Sequence, residues 1–276
     1  YSNAFAACYH FEEAIWNGTT GEVKNAVADS NHGTSGGGAV VTTGLLGSGG
    51  GDFDSEGETN HEPARVALPT WGPGAYWASS YIGGTYVLTP RAGTGSCWFR
   101  QPNGRAVVDG VLFGCGSDSL GYYVELQTTG VVLKVGGGSA DKVWLTALGS
   151  YADDAWHHVA CSFRNVDGDW QAALYVDGLR AVDWTACPTA ANGSYNMITV
   201  IGCRNWTWAG NFSSGTDALI DEVEFTTYGT YRSDDWIAAT HAAGSSPATW
   251  AQAGELVEVG GGAVPMIYRA ARRRSR

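Results

Sequence analysis

At 276 residues, 44% hydrophobic and only 16% charged, the chain is long enough to bury a substantial core and too apolar to stay disordered. Its 40 Gly, 12 Trp and 13 Tyr suit short strands joined by tight turns and exclude a helical bundle. The net charge of −11 is unevenly spread, because Arg269, Arg272, Arg273, Arg274 and Arg276 hold five of the 16 basic residues; sixteen less five leaves residues 1–268 with 11 positive against 27 negative charges. Such a body repels nucleic acid, and only the tail would attract it.

Apolar runs are a few residues long, far short of the ~20 that span a bilayer, and the opening residues do not read as a secretory leader. In chain order, residues 5–13 form the first expected strand, 29–38 a polar turn, and 51–54 and 65–68 short extended pieces. Residues 71–86, dense in Gly, Pro and aromatics without a clean period, read as a long ordered loop or insertion. Strands then crowd the chain at 96–100, 107–114, 122–127, 131–135, 143–147, 156–163, 171–176, 197–202 and 219–226. Asp167-Gly168 and Asp177-Gly178 between them carry hairpin chemistry. Ser233 N-caps the one expected helix, 234–241, with Asp234 and Asp235 in its first turn and Trp236 sharing a face with Ala239 or Thr240. Residues 1–254 make one domain, and 255–276 form an arginine-rich tail behind the glycine hinge at 260–262. The expected fold is all-β, a two-sheet antiparallel sandwich with one short C-terminal helix.

Six cysteines show no metal or redox spacing. Cys8, Cys97, Cys115 and Cys161 lie in strand-like runs and read as buried thiols. Cys187 and Cys203 flank Asn192-Gly193-Ser194; a hairpin there would let them bridge, which would stabilise by ~3 kcal/mol, or they too are plain thiols.

Several segments, in order, resemble the laminin G-like, concanavalin A-like jelly roll of bacterial and phage proteins. They are Tyr9-His10-Phe11-Glu12-Glu13 with Asp29-Ser30-Asn31-His32-Gly33, Cys97-Trp98-Phe99-Arg100, Ala155-Trp156-His157-His158, Leu174-Tyr175-Val176-Asp177-Gly178, Ala218-Leu219-Ile220-Asp221-Glu222, and the helix opening at Arg232. The resemblance covers roughly residues 5–254 and implies a jelly roll used for recognition.

Glycosidases of this fold need Glu-x-Asp-x-Glu on one strand, so that alternate carboxylates share a cleft. Here simple alternation puts Asp221 on a face with Leu219, Val223 and Phe225, without a partner two residues away. Adjacent His157 and His158 point to opposite faces and cannot chelate one ion together. Serine-hydrolase, zinc-protease and phosphate-loop motifs are missing from the sequence. A non-catalytic protein is therefore expected. An aspartate on an apolar face must be hydrogen-bonded or metal-bound. The resemblance to calcium-binding jelly rolls implies a structural Ca2+ on Glu12 or Glu13, Asp29, Asn31 and Asp221; the alternative is that Asp221 accepts main-chain N–H groups. Trp71, Tyr76 and Trp77, and Asn205 with Trp206 and Trp208, are the candidate glycan-stacking clusters. Two functions follow. One is a carbohydrate- or surface-binding adhesion module, acting outside the cell. The other is a structural or decoration protein of a virion, pilus or cell envelope, docked to neighbouring subunits through the five tail arginines.

Overall fold

The computed structural model describes residues 5–45, 49–54, 63–69, 74, 76–82, 85–105, 109–117, 120–137, 142–187, 191–192, 198–205, 212–227 and 229–246, with the backbone alone for 5, 77–82, 85–90, 117, 120, 137, 142, 191–192 and 205. Five short strands come first: β1 (Phe5–Tyr9), β2 (Thr34–Gly36), β3 (Val40–Thr42), β4 (Gly50–Asp52) and β5 (Arg65–Ala67). Next come β6 (Trp77–Ile82), β7 (Thr85–Pro90), β8 (Gly93–Arg100), β9 (Gly110–Ser117), β10 (Leu120–Gln127), β11 (Gly130–Gly137) and β12 (Lys142–Leu148). The longest, β13 (Trp156–Val166), is followed by β14 (Asp169–Val176) and β15 (Leu179–Ala186). Short pieces β16 (Ala191–Asn192), β17 (Thr199–Ile201), β18 (Arg204–Asn205) and β19 (Phe212–Ser213) lead to β20 (Leu219–Thr226) and the helix α1 (Asp234–Ser245).

Two antiparallel sheets make the sandwich. One runs β15-β14-β13-β8-β20-β4-β3, with β1 also paired to β20; the other runs β12-β11-β10-β9-β17-β5-β2. Their facing sides bury Tyr9, Phe11, Phe99, Phe113, Tyr122, Phe163 and Phe225 in one core, each large apolar side chain contributing roughly 1.5–3 kcal/mol. This is the expected jelly-roll sandwich with one short helix. Asp167 and Asp177 take left-handed φ of 55° and 50° ahead of their glycines, closing the β13–β14 and β14–β15 hairpins as the Asp-Gly pairs predict.

The helix forms where its cap is. Ser233 accepts the Trp236 N–H at 3.2 Å, and the buried stripe Trp236, Ile237, Thr240, Ala243 and Gly244 lies on the outer face of the eight-stranded sheet, against Ala160, Ala173 and Tyr175. Gly244 allows that approach, since a Cβ there would meet the Trp98 ring at 2.2 Å. Among the described residues no helix is long and apolar enough to cross a membrane.

Two expectations change, and of the two readings of Cys187 and Cys203 the plain thiols hold. Residues 77–82 and 85–90 are paired antiparallel strands rather than a loop, β6 pairing with β7 from Trp77↔Pro90 to Ile82↔Thr85; the dense glycines and aromatics of the segment hide the strand period. Cys187 packs in the main core and Cys203 in a separate cluster with Val200 and Phe212, and no bridge joins them. Strand β20 does not alternate simply. A bulge falls between Asp221 and Glu224, with Glu222 at φ 50°, so Ile220 faces the core before it and Val223 and Phe225 after it. Asp221 is thereby moved off the core face, into register with Trp98.

Candidate functional site

Trp71, Trp206, Trp208 and the arginines 269, 272, 273, 274 and 276 lie outside the described residues. Trp77 opens β6 and Asn205 ends β18, with only their backbones described. Tyr76 is in the core, 1% exposed, its ring stacked on Tyr122 at 5.8 Å and its hydroxyl donating to the Thr94 carbonyl. Contrary to expectation it offers no face to a ligand.

The calcium ligands are not brought together. No three of Glu12, Glu13, Asp29 and Asp221 bring donor atoms within 4.8 Å of one another. Glu13 accepts from Trp16 Nε1 at 3.2 Å and the Lys24 N–H at 2.7 Å. Asp29 is solvent-exposed beside His32, 3.1 Å away, and the Asn31 carbonyl accepts from the Tyr9 hydroxyl at 2.6 Å. Asp221, 1% exposed, spends its oxygens on the Leu45 and Glu222 main-chain N–H groups at 2.7 and 2.8 Å. Burial, and then the Glu222 charge, push its carboxyl well above the usual range.

His157 and His158 do face opposite ways. His157 lies 5.7 Å from the core ring of Phe99 and holds Asp177 through Nδ1 at 2.9 Å and Asp153 through Nε2 at 3.0 Å, which uses both its nitrogens structurally. His158 lies 5.3 Å from Trp98 on the outer face.

The sequence reading missed two arrangements. On the outer face of the seven-stranded sheet, Trp144 of β12 is 63% exposed, although its neighbours Leu145 and Ala147 are in the core. Lys134, its partner in register on β11, puts Nζ 5.0 Å from the ring centroid and pairs with Glu125 Oε2 at 2.5 Å. Gln127 also donates to that oxygen, at 3.2 Å. An open indole thus has an ammonium beside its ring, and that ammonium is held by the buried Glu125 carboxylate, which Gln127 also contacts. The signal was present in the alternation of residues 143–148, which puts a tryptophan on the solvent side.

The second arrangement joins the first strand to the last in the sandwich. Cys8 and His10 leave the core face that Ala7, Tyr9 and Phe11 occupy, and Cys8 pairs in register with Glu224. His10 Nδ1 lies 2.7 Å from Glu222 Oε2, His10 Nε2 3.5 Å from Cys8 Sγ, and Cys8 Sγ 3.9 Å from Glu224 Oε1. Burial opposes charge on His10, but the Glu222 hydrogen bond and the surrounding carboxylates outweigh it and raise the imidazole to about 9. Burial, reinforced by Glu222, raises Glu224 to about 7. A Cys-x-His on one strand facing Glu-x-Glu on another could have been noticed; the pairing that joins them could not.

The architecture defines a lectin-like jelly roll. A family profile described as "Concanavalin A-like lectin/glucanases superfamily" matches residues 78–238, more than half of the chain, and the chain belongs to that superfamily. No curated protein sequence is significantly similar to it. Among solved structures, the binding domain of Paraclostridial Mosquitocidal Protein 1 superposes with a TM-score of 0.56 at 11% identity, over 86% of this chain and 52% of that one. Domain 4 of AbnA, an extracellular GH43 arabinanase from Geobacillus stearothermophilus, solved in complex with arabinotriose, gives 0.56 at 17% identity, over 86% and 98%. The botulinum neurotoxin type G receptor binding domain gives 0.54 at 10%, over 87% and 51%. The chain therefore spans about half the length of these toxin domains, and at such identities the likeness is one of fold.

Proposed function

We propose that this chain is a non-catalytic carbohydrate-recognition module acting outside the cell, at a cell or virion surface, and that it holds a glycan on the outer face of its seven-stranded sheet. The observation that carries this reading is the exposed Trp144 ring with the Lys134 ammonium beside it. An indole stacks on the apolar face of a pyranose or furanose ring, and the fixed Lys134 ammonium would orient a neighbouring hydroxyl. The AbnA domain, solved with arabinotriose, supports the reading by likeness of fold. A non-catalytic role is supported by His157 and Asp221, whose polar atoms are engaged in holding the fold.

A glycan array with the wild-type chain and Trp144→Ala tests it. Binding by the wild type that drops at least tenfold in the variant is expected. Binding that survives Trp144→Ala but is lost in Trp206→Ala or Trp77→Ala moves the site to those residues, and a wild type that binds no glycan rejects the reading. The separation of an acidic body from a run of arginines favours a second, structural role, in which the tail docks on an acidic groove of a neighbouring subunit. Deleting residues 260–276 is then expected to abolish assembly while leaving glycan binding intact.

A further inference from the structure

We propose that Cys8 of β1 and His10 just beyond it, with Glu222 and Glu224 of β20, form a binding site for a thiolate-seeking divalent cation, Zn2+, that clips the first strand to the last. The donor set is mixed sulfur, nitrogen and oxygen, which selects Zn2+ over the hard, all-oxygen cations. Cys8 Sγ, a His10 ring nitrogen and a Glu222 oxygen lie within 4.8 Å of one another, with His10 Nε2 and Nδ1 at 3.5 and 3.8 Å from the sulfur; a tilt of the part-exposed imidazole would aim Nε2 at an ion shared with the sulfur. His10 Nδ1 meanwhile donates to Glu222 at 2.7 Å, the carboxylate–histidine contact that fixes a ligand imidazole's tautomer and aims its other nitrogen at the metal.

Glu224 supplies the independent pointer. Its Oε1 faces Cys8 Sγ at 3.9 Å, while its Oε2 is buried without a hydrogen-bond partner. An orphaned carboxylate oxygen is costly, and although Glu224 is not among the three groups whose donors lie within 4.8 Å of one another, a small turn of its carboxylate would bring it to a cation held by them. Alternation with the core residues Val223 and Phe225 stands Glu222 and Glu224 on the outer side beside Cys8 and His10, and the bulge adds Asp221 to that side. Access runs past His10, whose side chain is 37% exposed.

The row Cys8, His10, Glu222 also has the order of a thiol nucleophile, its base and an orienting acid. That use is disfavoured by a sulfur only 7% exposed and set among Glu224, Glu222 and Asp221, which with burial oppose the thiolate unless a cation joins them.

The test is Co2+ and Zn2+ titration of the reduced, EDTA-stripped full chain. Co2+ is expected to give a thiolate-to-metal charge-transfer band that Zn2+ abolishes and that Cys8→Ser lacks. Glu222→Gln is expected to weaken binding by about 10–100-fold, and Glu224→Gln and His10→Ala by at least that factor. On the wild type, Zn2+ is expected to slow iodoacetamide alkylation of Cys8, mapped by mass spectrometry, at least tenfold, with the other five cysteines as internal controls; this readout stands even if the variants fail to fold. Absence of the charge-transfer band, its persistence in Cys8→Ser, or equal alkylation of Cys8 with and without Zn2+ would overturn the proposal, and fast alkylation in both would point to the nucleophile instead.

Discussion

Two polar patches sit on the outer face of the eight-stranded sheet, on either side of the β8–β20 pair, and they handle titratable groups in opposite ways. Under α1, Trp98 stacks on His241 at 5.5 Å and lies beside His158, which is 1% exposed with an unpartnered Nδ1. Burial, aided by His241, lowers His158 to about 3, so it is neutral at any physiological pH. Beside β1 the helix is absent, His10 reaches solvent, and carboxylates hold its charge. The sheet supplies both patches with the same backbone support, and the difference lies in the roof. Where apolar Trp236, Ile237 and Ala243 exclude water, a histidine is discharged and becomes packing; where the roof is open, charge persists and can be used.

The largest expected effect comes from breaking the sealed side. Trp98→Ala should cost roughly 3–5 kcal/mol, the range for losing a large buried aromatic, and detach the helix; urea unfolding followed by near-ultraviolet circular dichroism measures both. A loss under 1 kcal/mol would mean that the helix is not seated on Trp98. The next effect is pH-dependent. His158 has a folded pKa below its unfolded value of about 6.5, so the unfolded chain takes up the proton first, and the stability associated with a neutral His158 is present above that value and lost as pH falls. Relative to His158→Phe, which keeps a ring against Trp98, the wild type should lose about 1.4 kcal/mol per pH unit below about pH 6.5. Parallel stability curves for the two proteins between pH 7 and 5 would refute the sealed-roof account. His157 works in the other direction. Burial lowers its pKa, but the Asp177 and Asp153 hydrogen bonds and charges more than offset that, so its contribution is complete below about 6.5 and fades as pH rises through the raised folded value.

Much of the sealed side was legible in the sequence. Ser233 followed by Asp234 and Asp235 marks a helix start by local chemistry, and the strict alternation of His157 and His158 assigns each ring its face. The open side was not. Its four groups come from segments 216 residues apart at the Cys8–Glu224 contact, and the bulge that turns Asp221 off the core face is a positive-φ event at Glu222, a residue type that gives no warning of it. Reading residues 219–225 as regular alternation therefore put Asp221 on the core face. Trp144 was passed over for the opposite reason, because tryptophan in a strand reads as core until the burial of Leu145 and Ala147 fixes the phase.

Smaller effects sharpen the contrast. Ser233→Ala removes the cap that accepts the Trp236 N–H and should cost about 1 kcal/mol, with helix detachment preceding global unfolding in hydrogen exchange; fully coincident protection of α1 and the sheet would show that the roof is held by packing alone.

The smallest expected change is that of Cys8→Ala in EDTA-containing buffer. The sulfur lies at a rim where His10 is open to water, so truncation leaves a space that solvent can enter instead of an empty cavity, and one heavy atom of burial corresponds to at most about 1 kcal/mol. Denaturation midpoints at pH 7 would measure the change. A cost above about 2 kcal/mol would show that Cys8 is packed as tightly as Trp98, and the open side would then be as much a part of the core as the helix side.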